Sequence, residues 1–139
     1  MTDKRHIQIS SFFLMLSMVL MMGCGPKAAY DLVIVEGVAT YAGKPIPKDF
    51  RLSFQPLDGK RLSTAVFKQD DGKFAAVHTL SLDGVPPGKC KVNVLWGGAI
   101  GTSPPQEYEP MLKKYGYGTE GHEFEFTKNN KKCKLDFPE

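Results

Sequence analysis

Hydrophobic and polar residues alternate along several short stretches of the chain. In the clearest stretch, Phe50, Leu52 and Phe54 alternate with Arg51 and Ser53. A period of two residues is typical of a β-strand with one face in the core and the other in water. Alternating or β-branched stretches of this kind predict about seven short strands, at 31–41, 50–55, 62–67, 74–80, 89–96, 123–126 and 132–137.

Turn-forming residues separate these stretches. Asp70-Asp71-Gly72 predicts a hairpin, because Asp-Gly tolerates the positive φ that tight turns need. Asn129-Asn130 lies between the last two stretches and predicts a closing hairpin there. Residues 97–121 are rich in glycine and proline, which argues against regular structure except for one short helical turn around Met111-Leu112. The pattern therefore predicts one all-β domain over residues 31–139, arranged as a β-sandwich.

The first two dozen residues differ from this domain. A short positive segment, Lys4-Arg5-His6, precedes an apolar run of 11 residues from Phe12 to Met22. That length falls within the roughly 7–15 residues of a signal-peptide core and below the roughly 20 that span a bilayer as a helix. The run ends at Gly23-Cys24. Residues 1–23 are therefore predicted to be a signal peptide.

The end of this segment resembles the lipobox of bacterial lipoproteins, in which small residues precede a cysteine. The usual lipobox has leucine three positions before the cysteine, whereas here Met21 stands there and Leu20 lies one residue further back. The resemblance implies that the signal is cut before Cys24, which carries a diacylglyceryl group and a fatty acid such as palmitate. Residues 24–30 would then form a short lipidated tether. The alternative is a buried N-terminal helix in which Cys24 occurs by chance.

The expected location follows from this anchor, since two or more acyl chains hold a protein stably at a membrane. We expect the mature protein at the cell membrane, facing the periplasm or the exterior. In a Gram-negative bacterium, Gly25 after the lipidated cysteine favours the outer membrane. The chain has 18 basic residues against 15 acidic ones, an excess too weak to indicate a nucleic-acid partner. An envelope protein or a glycan is the partner expected besides the membrane.

Three motifs in the domain resemble those of carboxypeptidase regulatory-like domains. Residues 35–47 are similar to the opening V-x-G-x-V-x-x-x-G-x-P-[LI]-P pattern, Asp71–Phe74 to a D-G-x-F hairpin, and Val85–Val92 to a V-P-P-G-x-Y-x-V segment. Their order and spacing also agree, and the resemblance covers residues 32–137. It implies a seven-stranded, transthyretin-like sandwich of the kind found in small lipoproteins of planctomycete-type bacteria.

The cysteines depart from the family pattern in one place. The family usually has tyrosine where this chain has Cys90. If Cys24 carries lipid, Cys90 and Cys133 are left as an even number in an exported protein, and alternation places both on core-facing positions. We therefore expect a Cys90–Cys133 disulfide, the alternative being two buried free thiols.

Candidate catalytic or metal-binding groups are few. Beyond the signal, the chain has the two histidines His78 and His122 and contains no HExxH or CxxC motif, so we expect no zinc site, no other metal and no cofactor. The acidic pair Asp70-Asp71 is explained by its turn, and Glu123 and Glu125 by a solvated strand face. Hydroxyisourate hydrolases of transthyretin-like fold end in Tyr-Arg-Gly-Ser, a motif that residues 135–139 lack.

One group of aromatic residues is a candidate binding surface. Trp96, Tyr108, Tyr115 and Tyr117 flank the glycine- and proline-rich segment, where rings can stack on sugars or partner side chains. The alternative is that Trp96 and Tyr108 plug the end of the core. The expected function is a non-enzymatic accessory or binding module, with two alternatives. One is a carbohydrate- or peptide-binding module that uses these rings, and the other is a small hydrolase built on a histidine and a carboxylate in a cleft.

Overall fold

The alternating stretches of the sequence form strands in the structure, a computed structural model that describes residues 28–139. The predicted signal peptide and the predicted lipidation site Cys24 lie outside the described residues. The strands of the described part are β1 Val35–Tyr41, β2 Lys44–Pro45, β3 Phe50–Pro56, β4 Ser63–Phe67, β5 Lys73–Thr79, β6 Leu82–Asp83, β7 Gly88–Trp96, β8 His122–Phe126 and β9 Asn130–Phe137. The prediction of an all-β domain is confirmed.

Alternation decides which face of each strand is buried. In β3, Phe50, Leu52 and Phe54 are buried, whereas Arg51 and Gln55 are exposed. The seven longer strands coincide with the predicted stretches, and the two-residue strands β2 and β6 are additional. The first stretch is shorter than predicted, because Val33 makes only an isolated bridge to Val85 before β1 begins. A pattern of period two thus located the strands but left their ends uncertain by a few residues.

The seven longer strands follow the order β9-β1-β5-β4-β3-β7-β8 across the sheet. β9 runs parallel to β1, and the other neighbours in this order are antiparallel. The predicted closing hairpin is therefore wrong, since β8 pairs with β7 and β9 pairs with β1 at the opposite end of the order. The residues expected to turn instead attach to the start of β1. The Ile34 amide donates to the Asn129 side-chain oxygen at 2.8 Å, and the Asn130 amide donates to the Ile34 carbonyl at 2.8 Å.

The sheet curves so that its two edge strands, β8 and β9, come together around one core. Phe124 of β8 and Phe137 of β9 approach with ring centroids 6.0 Å apart, although these strands lie at opposite ends of the order. Phe126 of β8 meets Phe54 of β3 at 5.9 Å. Aromatic pairs of this geometry contribute about 0.5–1.5 kcal/mol beyond the area they bury. Side-chain contacts between aromatic rings therefore join the edges of the sheet.

A short helix covers one end of this core. A 3₁₀ turn at Gln106–Tyr108 leads into α1, Glu109–Tyr115, which confirms the helical turn predicted around Met111. Pro110 lies in the first turn, where a missing amide proton costs nothing. Met111 and Tyr115 are buried, and the Tyr115 hydroxyl donates to the Pro138 carbonyl at 2.6 Å. The helix therefore also fixes the end of β9.

Gly37 allows β9 to lie against β1. A Cβ atom at this position would collide with the backbone of Cys133, and the register of the two strands shifts between Val35 and Gly37. Since the backbone of Gly37 is not in the left-handed region, its role is to leave room rather than to permit an unusual φ. The close approach of β1 and β9 thus depends on the absence of a side chain at one residue.

Replacing Gly37 with alanine is expected to destabilise the protein by about 2–3 kcal/mol, because one of the two strands must move. Gly43→Ala is the control: Gly43 has a φ of 76° and open space around it, so alanine there costs only about 1 kcal/mol of backbone strain. Urea unfolding of both variants measures the difference. If Gly37→Ala is no less stable than Gly43→Ala, the close approach is not what Gly37 provides.

Candidate functional site

The four predicted aromatic residues do not form one surface. Trp96 and Tyr108 both lie against Phe50, with ring centroids 5.1 and 5.0 Å from it. The Trp96 indole nitrogen donates to the Thr102 carbonyl at 3.1 Å. Both rings are partly buried against the core. Trp96 and Tyr108 therefore cover the core at the end where β3 begins and β7 finishes. This agrees with the alternative interpretation of the sequence.

Tyr115 and Tyr117 have opposite surroundings. Tyr115 is 3% exposed and lies edge-on to Phe137 at 5.2 Å and to His122 at 6.0 Å. Tyr117 is 90% exposed, two residues further along the chain. Of the four rings proposed for ligand stacking, Tyr117 is the one that the structure leaves open to solvent.

Asn93 holds the segment that carries Tyr117, a role that the sequence pattern did not reveal. Its side-chain amide donates to the carbonyl oxygens of Tyr115 at 3.2 Å and Gly116 at 2.9 Å. Thr119 completes the turn, since its hydroxyl donates to the Gly116 carbonyl at 2.8 Å. In the alternation of β7, Asn93 occupies a position expected in water, yet it is only 6% exposed. A buried amide with these bonds fixes the base of the loop.

His78 joins the N-terminal segment to the sheet. Its Nδ1 lies 2.9 Å from the Ser63 hydroxyl oxygen and its Nε2 lies 3.3 Å from the Tyr30 hydroxyl oxygen. Burial lowers the pKa of His78 below its ordinary value of 6.5, and the positive charge of Arg61 lowers it further. Ser63 has no exposed surface, so its hydroxyl is not accessible to a substrate. The hydrogen bond between Ser63 and His78 therefore holds the structure together and does not activate Ser63 as a nucleophile.

The second histidine lies in β8, which β4, β3 and β7 separate from β5 in the strand order. His122 begins β8 and is surrounded by the rings of Tyr115, Phe124 and Phe137. Within residues 28–139, neither histidine makes a hydrogen bond to a carboxylate, and no group of His, Cys, Asp and Glu is arranged to hold a metal ion. The hydrolase alternative required a histidine and a carboxylate to converge, and the described residues do not bring them together.

Cys90 and Cys133 are free and buried, so the expected disulfide is absent from the structure. Alternation correctly placed both side chains in the core, with exposures of 0% and 7%. It does not specify which core residues meet, however, and the two strands do not pair: β7 pairs with β3 and β8, whereas β9 pairs with β1. Burial raises the pKa of the Cys90 thiol to about 11 and also raises that of Cys133. Both are therefore protonated, weakly reactive thiols at neutral pH.

A shallow groove crosses the outer face of β1, β5 and β4. We call it the outer groove. Its volume is about 580 Å³, its floor includes Val66, Ala75 and Val77, and Lys68 and Asp71 lie on its rim. Val66 is 53% exposed. The sequence did not predict this groove, because its residues come from several strands and turns that are distant along the chain.

A second, smaller depression adjoins the outer groove beside Gly37. It has a volume of about 390 Å³ and is lined by Lys73 of β5 and by Lys131, Lys132 and Lys134 of β9. Among the described strands, β9 pairs only with β1, so its other edge is open. Lysines on an open edge hinder the addition of a foreign strand. With Glu36 as the one acidic residue in the lining, they give this depression a net positive charge.

Comparisons with protein-family models, curated proteins and solved structures give no match for this chain. The resemblance to carboxypeptidase regulatory-like domains therefore remains a prediction from the three sequence motifs. None of the helices formed by residues 28–139 is long and apolar enough to cross a membrane.

The pH dependence of stability tests the environment of His78. Because its pKa is lowered in the folded protein, the stability that neutral His78 contributes is present above about pH 6.5 and is lost as the pH falls below that value. The free energy of unfolding is expected to fall less steeply between pH 7 and 5 in His78→Gln than in the wild type. Arg61→Gln, which removes the smaller cause, should give an intermediate slope. Equal slopes for His78→Gln and the wild type, measured by urea unfolding, would contradict this assignment.

Proposed function

We propose that this protein is a bacterial lipoprotein, anchored through Cys24, whose domain is a non-enzymatic accessory or binding module of the cell envelope. The observation that carries the proposal is the order of features along the chain. A positive segment, an 11-residue apolar run and Gly23-Cys24 are followed within a few residues by a folded domain. Tyr30 already contacts that domain through His78. The tether is therefore short, and the domain is held near the membrane.

The proposed fold family is the transthyretin-like sandwich of carboxypeptidase regulatory-like domains. The positions of the motif residues support it. Gly37 of the first motif lies where β9 approaches β1, Asp71-Gly72 precedes β5, and Pro86-Pro87-Gly88 leads into β7. Gly72 has a φ of 72°, and its carbonyl accepts the amide of Ala39 at 2.9 Å. Each motif thus has a structural reason, and seven long strands surround one core as the family resemblance implies.

The non-enzymatic character of the proposal rests on the chemistry of the described side chains. His78 is engaged by Ser63 and Tyr30, His122 is surrounded by rings, and the thiols are protonated. Surfaces suited to a partner do exist, in the outer groove and at Tyr117. An envelope protein or a glycan is the proposed partner. The domain would face the periplasm or the exterior, with the outer membrane favoured in a Gram-negative cell.

Metabolic labelling with a palmitate analogue tests the anchor. The wild-type protein is expected to carry the label and to sediment with membranes, whereas Cys24→Ala should carry no label and keep its signal. Cys133→Ala is the matched control, because it removes a cysteine inside the domain and should leave labelling unchanged. Labelling that persists in Cys24→Ala, or a mature protein in which Cys24 is a free thiol, would refute the proposal.

A further inference from the structure

The register of the strands gives the domain two distinct ends. β1 and β9 start at the same end, because Val35 pairs with Asn130, and the antiparallel β5 finishes there. The described chain begins at this end, which we call the tether end. It comprises residues 28–33, the loop 57–62, the hairpin tip 80–81 and the turn 127–129. The long segment 97–121 follows the far end of β7, so most of it lies toward the opposite end of the strands.

The tether end exposes three leucines, Leu57, Leu62 and Leu80, and the last two lie near the N-terminal segment. Leu80, at the tip between β5 and β6, is fully exposed, and Leu62 is 46% exposed. Both line one shallow cavity of about 250 Å³ together with Arg61 and His78. His78 is the residue whose ring nitrogen meets the Tyr30 hydroxyl. The point where the N-terminal segment joins the domain is therefore adjacent to an exposed apolar pair.

The length of the tether places this apolar pair close to the proposed anchor. Tyr30 is the sixth residue after Cys24, and a fully extended chain spans at most about 3.6 Å per residue. The lipidated cysteine thus lies within roughly 20 Å of Tyr30. Cys24 must lie at the bilayer surface if it is acylated, so the short tether keeps the exposed leucines close to that surface.

The charges of the tether end are compatible with lipid head groups but are not dominant. Lys60 lies over the Tyr30 ring at 5.5 Å and is paired with Asp58 at 2.5 Å. Arg61 and Lys128 add positive charge at the same end, while Asp31 offsets part of it. Lys60, Arg61 and Lys128 against Asp31 and Asp58 leave a net charge of 3 − 2 = +1, so the attraction to an anionic surface is on the order of 1 kcal/mol. The leucines therefore supply the main attraction, and the basic residues supply a secondary one.

Resting on the proposed anchor, we propose that the tether end docks on the bilayer that holds Cys24, with Leu62 and Leu80 inserted among the lipid head groups and Arg61 beside them. One acyl anchor and a second apolar contact together fix an orientation that the acyl anchor alone does not. The loop that carries Ile100, which follows the far end of β7, then faces away from the membrane. The outer groove lies along the side of the domain and stays accessible.

Site-specific fluorescence on the acylated full-length lipoprotein in liposomes tests this docking. A solvent-sensitive fluorophore is attached at Leu80→Cys or, as the matched control, at Ile100→Cys on the segment that follows β7. Both native side chains are fully exposed, so neither change disturbs the core. The buried Cys90 and Cys133 label poorly, and the protein without an added cysteine gives the background. Nitroxide lipids should quench the probe at Leu80→Cys at least about twofold more strongly than the probe at Ile100→Cys.

The outcomes separate docking from anchoring. Flotation of the protein with the liposomes reports the anchor, so a protein that fails to float refutes the proposed function. If the protein floats but lipid nitroxides quench both probes equally, the docking proposal is wrong. A probe at Leu80→Cys that is shielded from aqueous iodide but not quenched by lipid nitroxides also overturns it, because something other than lipid then covers the leucines. In a Leu62→Ser variant, quenching at Leu80→Cys is expected to fall toward the value at Ile100→Cys.

Discussion

The parallel pairing of β9 with β1 is the interaction on which the rest of this structure depends. It spans Val35 to Tyr41, and it requires a glycine where the two backbones come closest, at Gly37 and Cys133. The pairing carries the C-terminal strand across to the first strand. That crossing brings Phe137 of β9 against Phe124 of β8, and the curved sheet then encloses a single core.

The same pairing makes the two ends of the domain different. Because β1 and β9 start together, the N-terminal segment and the turn at Asn129 meet at one end, where Asn129 and Asn130 bond to Ile34. At the other end, β9 finishes beneath α1, and Tyr115 bonds to the Pro138 carbonyl. The proposed membrane contact thus lies at one end of the strands. Trp96, which covers the core, ends β7 at the other.

Local patterns predicted what depends on local physics. Alternation located the seven long strands and the inward direction of Cys90 and Cys133, because the side chains of a strand point to alternate faces. It failed where the answer depends on which strand lies next to which. The hairpin at Asn129-Asn130 assumed a strand pairing that the sheet order does not provide. The expected disulfide is absent from the structure, and Trp96 and Tyr108 pack against the core instead of forming one surface with Tyr117. The outer groove and the bonds of Asn93 went unpredicted for the same reason, since their partners are distant in sequence.

Backbone nuclear Overhauser contacts in the isotope-labelled protein test the closing of the sheet most directly. A parallel β1–β9 ladder places the amide and α protons of Gly37 next to those of Cys133 and Lys134, so cross-peaks between these residues are expected. Cross-peaks should also join Phe124 of β8 to Cys90 of β7. Cross-strand contacts between the backbones of β8 and β9 around Asn129, with none between Gly37 and Cys133, would show a closing hairpin instead and contradict this structure.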